Sequence, residues 1–142
     1  MNKIYVMDAC ALIAFLRDEP GADIVTNLLR DAQAGNVTIY MNRLNLLEVY
    51  YDAYRVEGKQ KADAEQRLIQ KLPMIINAEL HDAIFLEAGR FKASYKISLA
   101  DAVAVAEASA LGAALITADH EFETIEQKET IVLLWVRPKK WR

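Results

Sequence analysis

The sequence predicts a single α/β domain of three layers, in which a mostly parallel sheet of four to five strands carries helices on both faces. Short apolar segments alternate with segments of helical spacing along the whole chain, and the apolar segments lack polar alternation. Strands of that composition are buried on both faces, as in parallel sheets covered by helices. A length of 142 residues suits one domain, so residues 1–142 form one predicted unit that ends in a basic tail, 137–142.

Five apolar segments rich in β-branched and aromatic residues predict the strands. They cover residues 3–7, 37–41, 74–76, 114–117 and 131–136. Helical spacing predicts segments at about 9–17, 24–35, 42–58, 61–72, 81–95 and 99–111, with a short helical turn over 119–125. In the helix that follows Asn42, the spacing places one apolar face on Leu44, Leu47, Tyr51 and Tyr54.

Composition limits the class of protein. Hydrophobic residues make up 54% of the chain and charged residues 26%, which is typical of a packed globular protein. The net charge of −3 argues against nucleic-acid binding by basic residues alone, but it permits a nuclease that recruits cations. One cysteine and two histidines argue against a Cys/His zinc site and suit a reducing cytoplasm. Acidic residues inside both long apolar stretches argue against a membrane segment.

Three of four acidic residues lie where a parallel sheet places its ligands, which is outside the carboxyl ends of its strands. Asp8 directly follows the first predicted strand, and Asp119 follows the fourth. Asp101 is in the first turn of the helix that leads into the fourth strand. Glu48 is in the helix after the second strand, where the spacing places it on the apolar face.

Each of these carboxylates also has an ordinary structural explanation. Asp8 and Asp119 suit the N-cap position of the helical segments that follow them. Ser98 and Asp101 have the spacing of a capping box. Glu48 is equally well explained as a residue at the edge of the apolar face, with its carboxylate reaching water. Taken singly, Asp8 and Asp101 are better explained as capping residues.

Taken together, the four carboxylates indicate a metal site. No basic partner is evident in sequence near Asp8, Asp101 or Asp119, and clustered anions raise one another's pKa unless a divalent cation neutralises them. Ligand sets made only of oxygen select hard ions such as Mg²⁺ or Mn²⁺. Such ions activate water and stabilise the charge that develops at phosphorus in an in-line displacement. Asp8, Glu48, Asp101 and Asp119 are therefore the candidate catalytic and metal-binding residues.

Four segments, in order along the chain, resemble the PIN domain family and, within it, the VapC-type toxin ribonucleases of toxin–antitoxin pairs. They are Val6–Ala14, Asn45–Val49, Ile97–Ala102 and Leu115–Phe122. The resemblance implies a Mg²⁺- or Mn²⁺-dependent endoribonuclease that cleaves single-stranded or loop RNA in the cytoplasm. It further implies a homodimer that a cognate antitoxin neutralises and that does not bind membranes. It makes Asp8 and Asp101 the most direct metal ligands and Thr117 a supporting polar residue.

The chain departs from the family pattern at two places. Ala9 and Cys10 stand where relatives often carry Ser or Thr, so hydroxyl support for Asp8 is missing or replaced by a thiol. His120 and Glu121 stand where relatives often carry a further Asp. Glu121 is either an outer metal ligand or, by preference, a solvated helix residue.

Three further alternatives remain open at this stage. Arg43 is either a phosphate contact for RNA or an ordinary surface residue. The whole chain is alternatively a receiver-like signalling module, although that class needs an acidic pair after its first strand where this chain has Asp8 alone. It is otherwise a PIN-like fold that binds proteins without catalysis.

Overall fold

The computed structural model describes residues 3–137, and the basic tail predicted over 137–142 lies outside that range except for Arg137. The described strands are β1 Lys3–Met7, β2 Val37–Asn42, β3 Ile75–Asn77, β4 Ala114–Thr117 and β5 Leu133–Trp135. The described helices are α1 Ala9–Leu16, α2 Ala22–Gln33, α3 Arg43–Glu57, α4 Lys59–Ile69, α5 Asp82–Ser94, α6 Leu99–Leu111 and α7 Glu123–Lys128. A 3₁₀ turn, His120–Phe122, precedes α7. Most predicted boundaries are right to within two residues.

The five strands form one parallel sheet in the order β3-β2-β1-β4-β5. Strand β1 lies at the centre, where Tyr5 aligns with Ile39 of β2 on one side and with Ala114 of β4 on the other. This confirms the predicted α/β class and shows that all the described pairings are parallel. Because β1 and β4 are neighbours, the residues that follow them, Asp8 and Asp119, come out at the same edge of the sheet.

Two apolar cores cover the two faces of the sheet, which confirms the predicted three layers. One core packs α1 and α2, with single residues of α3 and α4, against alternate residues of the strands, such as Met7, Met41 and Ile116. The other packs α5, α6 and the turn before α7 against the opposite alternate residues, such as Val6 and Leu115. Within residues 3–137, no helix has the length and apolar character needed to cross a membrane.

The predicted apolar face of α3 is wrong. Leu47, Tyr51 and Tyr54 are 55%, 53% and 47% exposed, whereas the buried residues of α3 are Asn45, Val49 and Ala53.

The reason is that hydrogen bonds, and not the count of apolar residues, orient this helix. The Asn45 side chain bonds to the backbone of both α1 and α6, through the Ala9 amide and the Ala100 carbonyl. A buried amide has to find such partners, because an unsatisfied one costs about 1–3 kcal/mol. Ala53, on the same face, is buried as well. The face with the larger apolar residues is left in solvent.

Candidate metal centre

Asp8 is held at the N-terminus of α1 and is fully buried. Its Oδ1 accepts a hydrogen bond from the Ala11 amide at 2.8 Å, so the capping explanation is correct. Its Oδ2 is buried and forms no hydrogen bond of normal geometry, although the Thr117 hydroxyl is close enough to lower the pKa of this carboxyl. Burial raises the pKa of this carboxyl from 3.8 to about 7, and the Thr117 hydroxyl and the Ala11 amide offset the rise only in part. This oxygen can therefore still bind a cation.

Asp101 is in the first turn of α6, where the Ser98 hydroxyl accepts the Asp101 amide at 3.1 Å and caps the helix. The Asp101 side chain itself is buried. Burial, followed by the charges of Asp119, Asp8 and Glu48, raises its pKa to about 8. The structure therefore brings Asp101 into the electrostatic range of the three other predicted carboxylates.

Asp119 begins the turn after β4, where its Oδ1 accepts the Glu121 amide at 3.0 Å. This bond folds the chain back on itself, so that Asp101, Asp119 and Glu121 each place one carboxylate oxygen within 4.8 Å of the others. Opposite oxygens around an octahedral Mg²⁺ are about 4.2 Å apart. The three oxygens are therefore close to the spacing of ligands on one ion.

Glu121 is the residue that the sequence led us to undervalue. It is exposed, as a solvated helix residue would be, yet its carboxylate belongs to the close group with Asp101 and Asp119. Burial and the charge of Asp119 raise its pKa. The available signal was its place two residues after Asp119, within the turn that the Asp119 side chain closes by accepting the Glu121 amide.

Glu48 lies at the edge of the cluster and is half-buried. Its pKa is raised first by burial, then by the charges of Asp119 and Asp52. We expected Glu48 to lie on a buried apolar face of α3, but the apolar residues of that face are exposed. Its position instead follows from Asn45, one turn earlier on the helix, which fixes α3 against α1 and α6.

Asn45 connects the two helices that carry Asp8 and Asp101. Its Oδ1 accepts the Ala9 amide at 3.1 Å, and its Nδ2 donates to the Ala100 carbonyl at 2.9 Å. Ala9 and Ala100 are the chain neighbours of Asp8 and Asp101, so one buried side chain sets the spacing of two carboxylates. Sequence reasoning treated Asn45 only as part of a motif; the missed signal was an amide three residues before Glu48.

A comparison of the sequence with models of protein families gives one decisive match. The model described as PIN domain matches residues 5–128. The chain belongs to the PIN domain family. This confirms the family that the four segments resembled, all of which lie within the matched range. A search among curated protein sequences found no match.

Solved structures share the fold of this PIN domain over nearly its whole length. VapBC2 from Rickettsia felis, bound to a DNA fragment from its promoter, superposes with a TM-score of 0.70 at 18% identity, covering 92% of this chain and 97% of that one. A toxin–antitoxin complex from Klebsiella pneumoniae gives 0.65 at 18% identity, covering 93% and 97%. VapC20 from Mycobacterium tuberculosis, a toxin that cleaves the sarcin–ricin loop, gives 0.65 at 14%, covering 87% and 95%.

The remaining predicted residues of this PIN domain have clear surroundings. Thr117 is buried, and its hydroxyl accepts the Asp119 amide at 2.9 Å, which orients the turn that carries Asp119. Burial raises the pKa of the half-buried Cys10 thiol to about 12, so it stays protonated near neutral pH. Arg43 is exposed at the start of α3 and forms no ion pair among residues 3–137.

The potential metal ligands of the site are all carboxylate oxygens. Two of its members, Asp8 and Asp101, are buried without a neighbouring cation among the described residues. Carboxylates in that state are either protonated or bound to a hard divalent ion. The unpartnered Oδ2 of Asp8 and the close group of Asp101, Asp119 and Glu121 fit Mg²⁺ or Mn²⁺.

Proposed function

We propose that this PIN domain is a Mg²⁺- or Mn²⁺-dependent endoribonuclease that cleaves single-stranded or loop RNA as the toxin of a toxin–antitoxin pair. The observation that carries the proposal is the buried Oδ2 of Asp8, which lies within electrostatic range of Asp119, a member of a close group of three carboxylates. Structural carboxylates are normally satisfied by hydrogen bonds or cations. An oxygen left vacant next to other acids supports a role in holding an ion.

In this proposal Asp8 and Asp101 hold the ion, and Asp119 and Glu48 complete the site or orient the attacking water. The ion, when bound, supplies Lewis acidity towards the phosphate and towards water. Thr117 keeps Asp119 in place through the Asp119 amide. Because burial raises the pKa of Asp8 to about 7 and that of Asp101 to about 8, both acids are partly protonated near neutral pH, and binding of a cation there is coupled to proton release.

RNA as substrate and an antitoxin as partner are supported by similarity. One structural neighbour is described as a toxin that cleaves the sarcin–ricin loop, and another as a toxin–antitoxin complex. Arg43 is an exposed cation at the carboxyl edge of the sheet, where a phosphate that approaches the acidic site would pass. We propose it as a contact to the RNA backbone.

The apolar side chains exposed on α3 and α4 support a protein partner. Leu47, Tyr51 and Tyr54 of α3 and Leu68 of α4 are about half exposed. Exposed apolar surface of this kind is typical of protein interfaces. We propose that this chain forms a homodimer and binds a cognate antitoxin in the cytoplasm. Light scattering of the purified protein tests the dimer directly, because a monomer mass at micromolar concentration contradicts it.

The cleavage test uses purified protein and a mixture of structured and single-stranded RNA in Mg²⁺ or Mn²⁺. We expect cleavage that is abolished by EDTA and reduced at least about a hundredfold in Asp101→Asn, since that variant removes a ligand of the ion. The matched control is Asp31→Asn, which neutralises an exposed carboxylate of α2 far from the site and leaves cleavage unchanged.

Two outcomes decide between the proposal and its alternatives. Cleavage that persists in EDTA and in Asp101→Asn refutes the metal mechanism. Failure to cleave any RNA, together with no Mn²⁺ binding at millimolar concentration, favours the alternative of a PIN fold kept for protein binding. A receiver-like signalling module does not agree with membership of the PIN domain family.

A further inference from the structure

A chain of buried side-chain hydrogen bonds leads from the middle of α6 to the candidate metal centre. It joins Glu107 of α6, Asn42 at the end of β2 and Asn45 of α3, and we call these three residues the Glu107 relay. Glu107 and Asn45 are fully buried, and Asn42 is nearly so. Water does not compete effectively for bonds in such a place, and they are stronger there than at the surface.

Glu107 begins the relay with a carboxylate that can only accept hydrogen bonds when it is ionised. One oxygen accepts the side-chain amide of Asn42 at 3.2 Å, and the other accepts the side-chain amide of Asn77 at the end of β3. Burial raises the pKa of this carboxyl, and the two amides oppose the rise. A buried carboxylate without a cation is a costly group, so its place in the core calls for a reason beyond packing.

Asn42 passes the constraint on to α3. Because its Nδ2 donates to Glu107, its Oδ1 faces Asn45, where it accepts the backbone amide at 2.8 Å and the side-chain Nδ2 at 3.0 Å. The Nδ2 of Asn45 also donates to the Ala100 carbonyl at 2.9 Å. The Oδ1 of Asn45 is then left to accept the Ala9 amide at 3.1 Å. An acceptor at one end of the relay thus agrees with the orientation of both amides that follow.

The relay ends at the chain neighbours of two proposed metal ligands. Ala9 follows Asp8, and Ala100 precedes Asp101. We propose that Glu107 is a positioning residue of the metal centre, which acts through the relay to fix the separation of Asp8 and Asp101 and thereby raises the affinity for the ion. The inference rests on the proposed function, because it takes these carboxylates to be ligands. Residues that orient ligands without touching the ion typically change metal affinity about 10–100-fold.

The two hydrogen bonds of Glu107 allow this role to be separated from a role in folding alone. The bond from Asn42 belongs to the relay, whereas the bond from Asn77 ties α6 to β3. Strand β3 pairs with β2 at one end of the described sheet, and β2 separates it from β1, which Asp8 follows. Loss of either bond should lower stability, but only loss of the Asn42 bond should reach the ligands.

The first test compares Glu107→Leu, Glu107→Gln and the matched control Asn77→Ala by calorimetric titration of Mn²⁺ and by thermal denaturation. Glu107→Leu removes both acceptors, so we expect Mn²⁺ to bind at least about tenfold more weakly. Glu107→Gln keeps an acceptor for Asn42 and can donate to the Oδ1 of a flipped Asn77, so we expect an affinity within about threefold of the wild type. Asn77→Ala should lower the Tm and leave the Mn²⁺ affinity unchanged.

The second test needs neither metal nor RNA. Amide hydrogen exchange, followed by NMR in EDTA, reports on the bond from the Ala9 amide to Asn45. We expect Glu107→Leu to speed exchange at Ala9 at least about tenfold more than at Val6, a buried residue of the central strand that exchanges through global unfolding. In Asn77→Ala the ratio of the two rates should stay as in the wild type.

A further variant covers the case in which Glu107→Leu does not fold. Asn42→Ser removes the donor to Glu107, while its hydroxyl can still cap α3 by accepting the Asn45 amide. We expect the same loss of Mn²⁺ affinity and the same faster exchange at Ala9 in this variant.

The outcomes separate this inference from the proposed function. Mn²⁺ affinity that falls no further in Glu107→Leu and Asn42→Ser than in Asn77→Ala overturns the positioning role and leaves the metal centre intact. An unchanged ratio of exchange rates at Ala9 and Val6 overturns the relay itself. If the wild type binds no Mn²⁺ but Ala9 exchanges faster in Glu107→Leu, the relay stands and the proposed metal-dependent function fails.

Discussion

Replacement of Asp8 by Asn should stabilise the metal-free protein at alkaline pH, although it removes a proposed ligand of the ion. Asn caps a helix as well as Asp does, so its Oδ1 keeps the bond from the Ala11 amide. What changes is the charge on a side chain that is fully buried. The pKa of Asp8 is higher in the folded protein than in the unfolded chain, so the folded state binds more protons between these two pKa values. Stability of the wild type therefore falls as pH rises through that range.

The magnitude follows from the two pKa values. Ionisation of Asp8, with a pKa of about 7 against an ordinary 3.8, costs about 4 kcal/mol at full deprotonation. About 1 kcal/mol of this cost is already present at pH 4.5, so the difference between the Asn variant and the wild type should grow by about 3 kcal/mol from pH 4.5 to 8. The amide that replaces Oδ2 has no partner, but its cost of about 1–3 kcal/mol is the same at both pH values.

Urea denaturation at pH 4.5 and pH 8 in EDTA measures this difference, with Asp31→Asn as the control for a lost exposed charge. Addition of 10 mM Mg²⁺ at pH 8 should then raise the stability of the wild type more than that of Asp8→Asn, since only the wild type keeps the full ligand set. A difference that stays constant or shrinks as pH rises refutes the view that Asp8 is a desolvated, unpaired acid.

Two other variants probe the cluster and its support. Glu121→Gln should weaken Mn²⁺ binding several-fold, and less than Asp119→Asn does, because the charge of the exposed Glu121 is screened by water. Equal losses of Mn²⁺ affinity in a calorimetric titration would mean that Glu121 is a full ligand. Asn45→Ala should lower the free energy of unfolding by about 2–4 kcal/mol and also weaken Mn²⁺ binding, because the Ala9 amide and the Ala100 carbonyl lose their partner. A loss of stability without any change in the Mn²⁺ affinity of the folded protein would mean that Asn45 does not position the carboxylates.

The fold and the placement of the acids were accessible from sequence for a simple geometric reason. A strand buried on both faces is an unbroken apolar run, and its first polar residue marks the carboxyl end. Asp8 is such a residue, and Asp119 lies two positions after Thr117, the first polar residue of the other run, so their convergence required only that β1 and β4 be neighbours in a parallel sheet. Asp101 followed from Ser98, whose hydroxyl marks the start of α6.

The orientation of α3 was not accessible in the same way. Apolar periodicity identifies the buried face of a helix only when burial of apolar area decides the packing. In α3 the buried face contains Asn45, whose amide is satisfied by two other elements, and the larger apolar residues Leu47 and Tyr51 face outward. Glu121 was named only as the less favoured alternative, an outer ligand, since a contact made within a short turn has no helical or strand periodicity. Both residues lie at the candidate site or at a proposed interface, where sequences depart from the rules of a monomeric core.

Helix capping and metal binding are not alternative explanations of these carboxylates, because the two oxygens of one carboxylate can serve different roles. Asp8 caps α1 with Oδ1 and leaves Oδ2 vacant, and Asp119 binds the Glu121 amide with Oδ1 while another carboxylate oxygen remains for an ion. The capping hydrogen bond fixes the carboxylate on its own helix. The ligand side chains would therefore lose little conformational entropy when an ion binds. The same bond that explains why Asp stands at the start of α1 therefore explains how its second oxygen is aimed. Capping at a strand end is thus evidence for a metal site when the other oxygen is buried and unpaired, and evidence for structure alone when that oxygen reaches water.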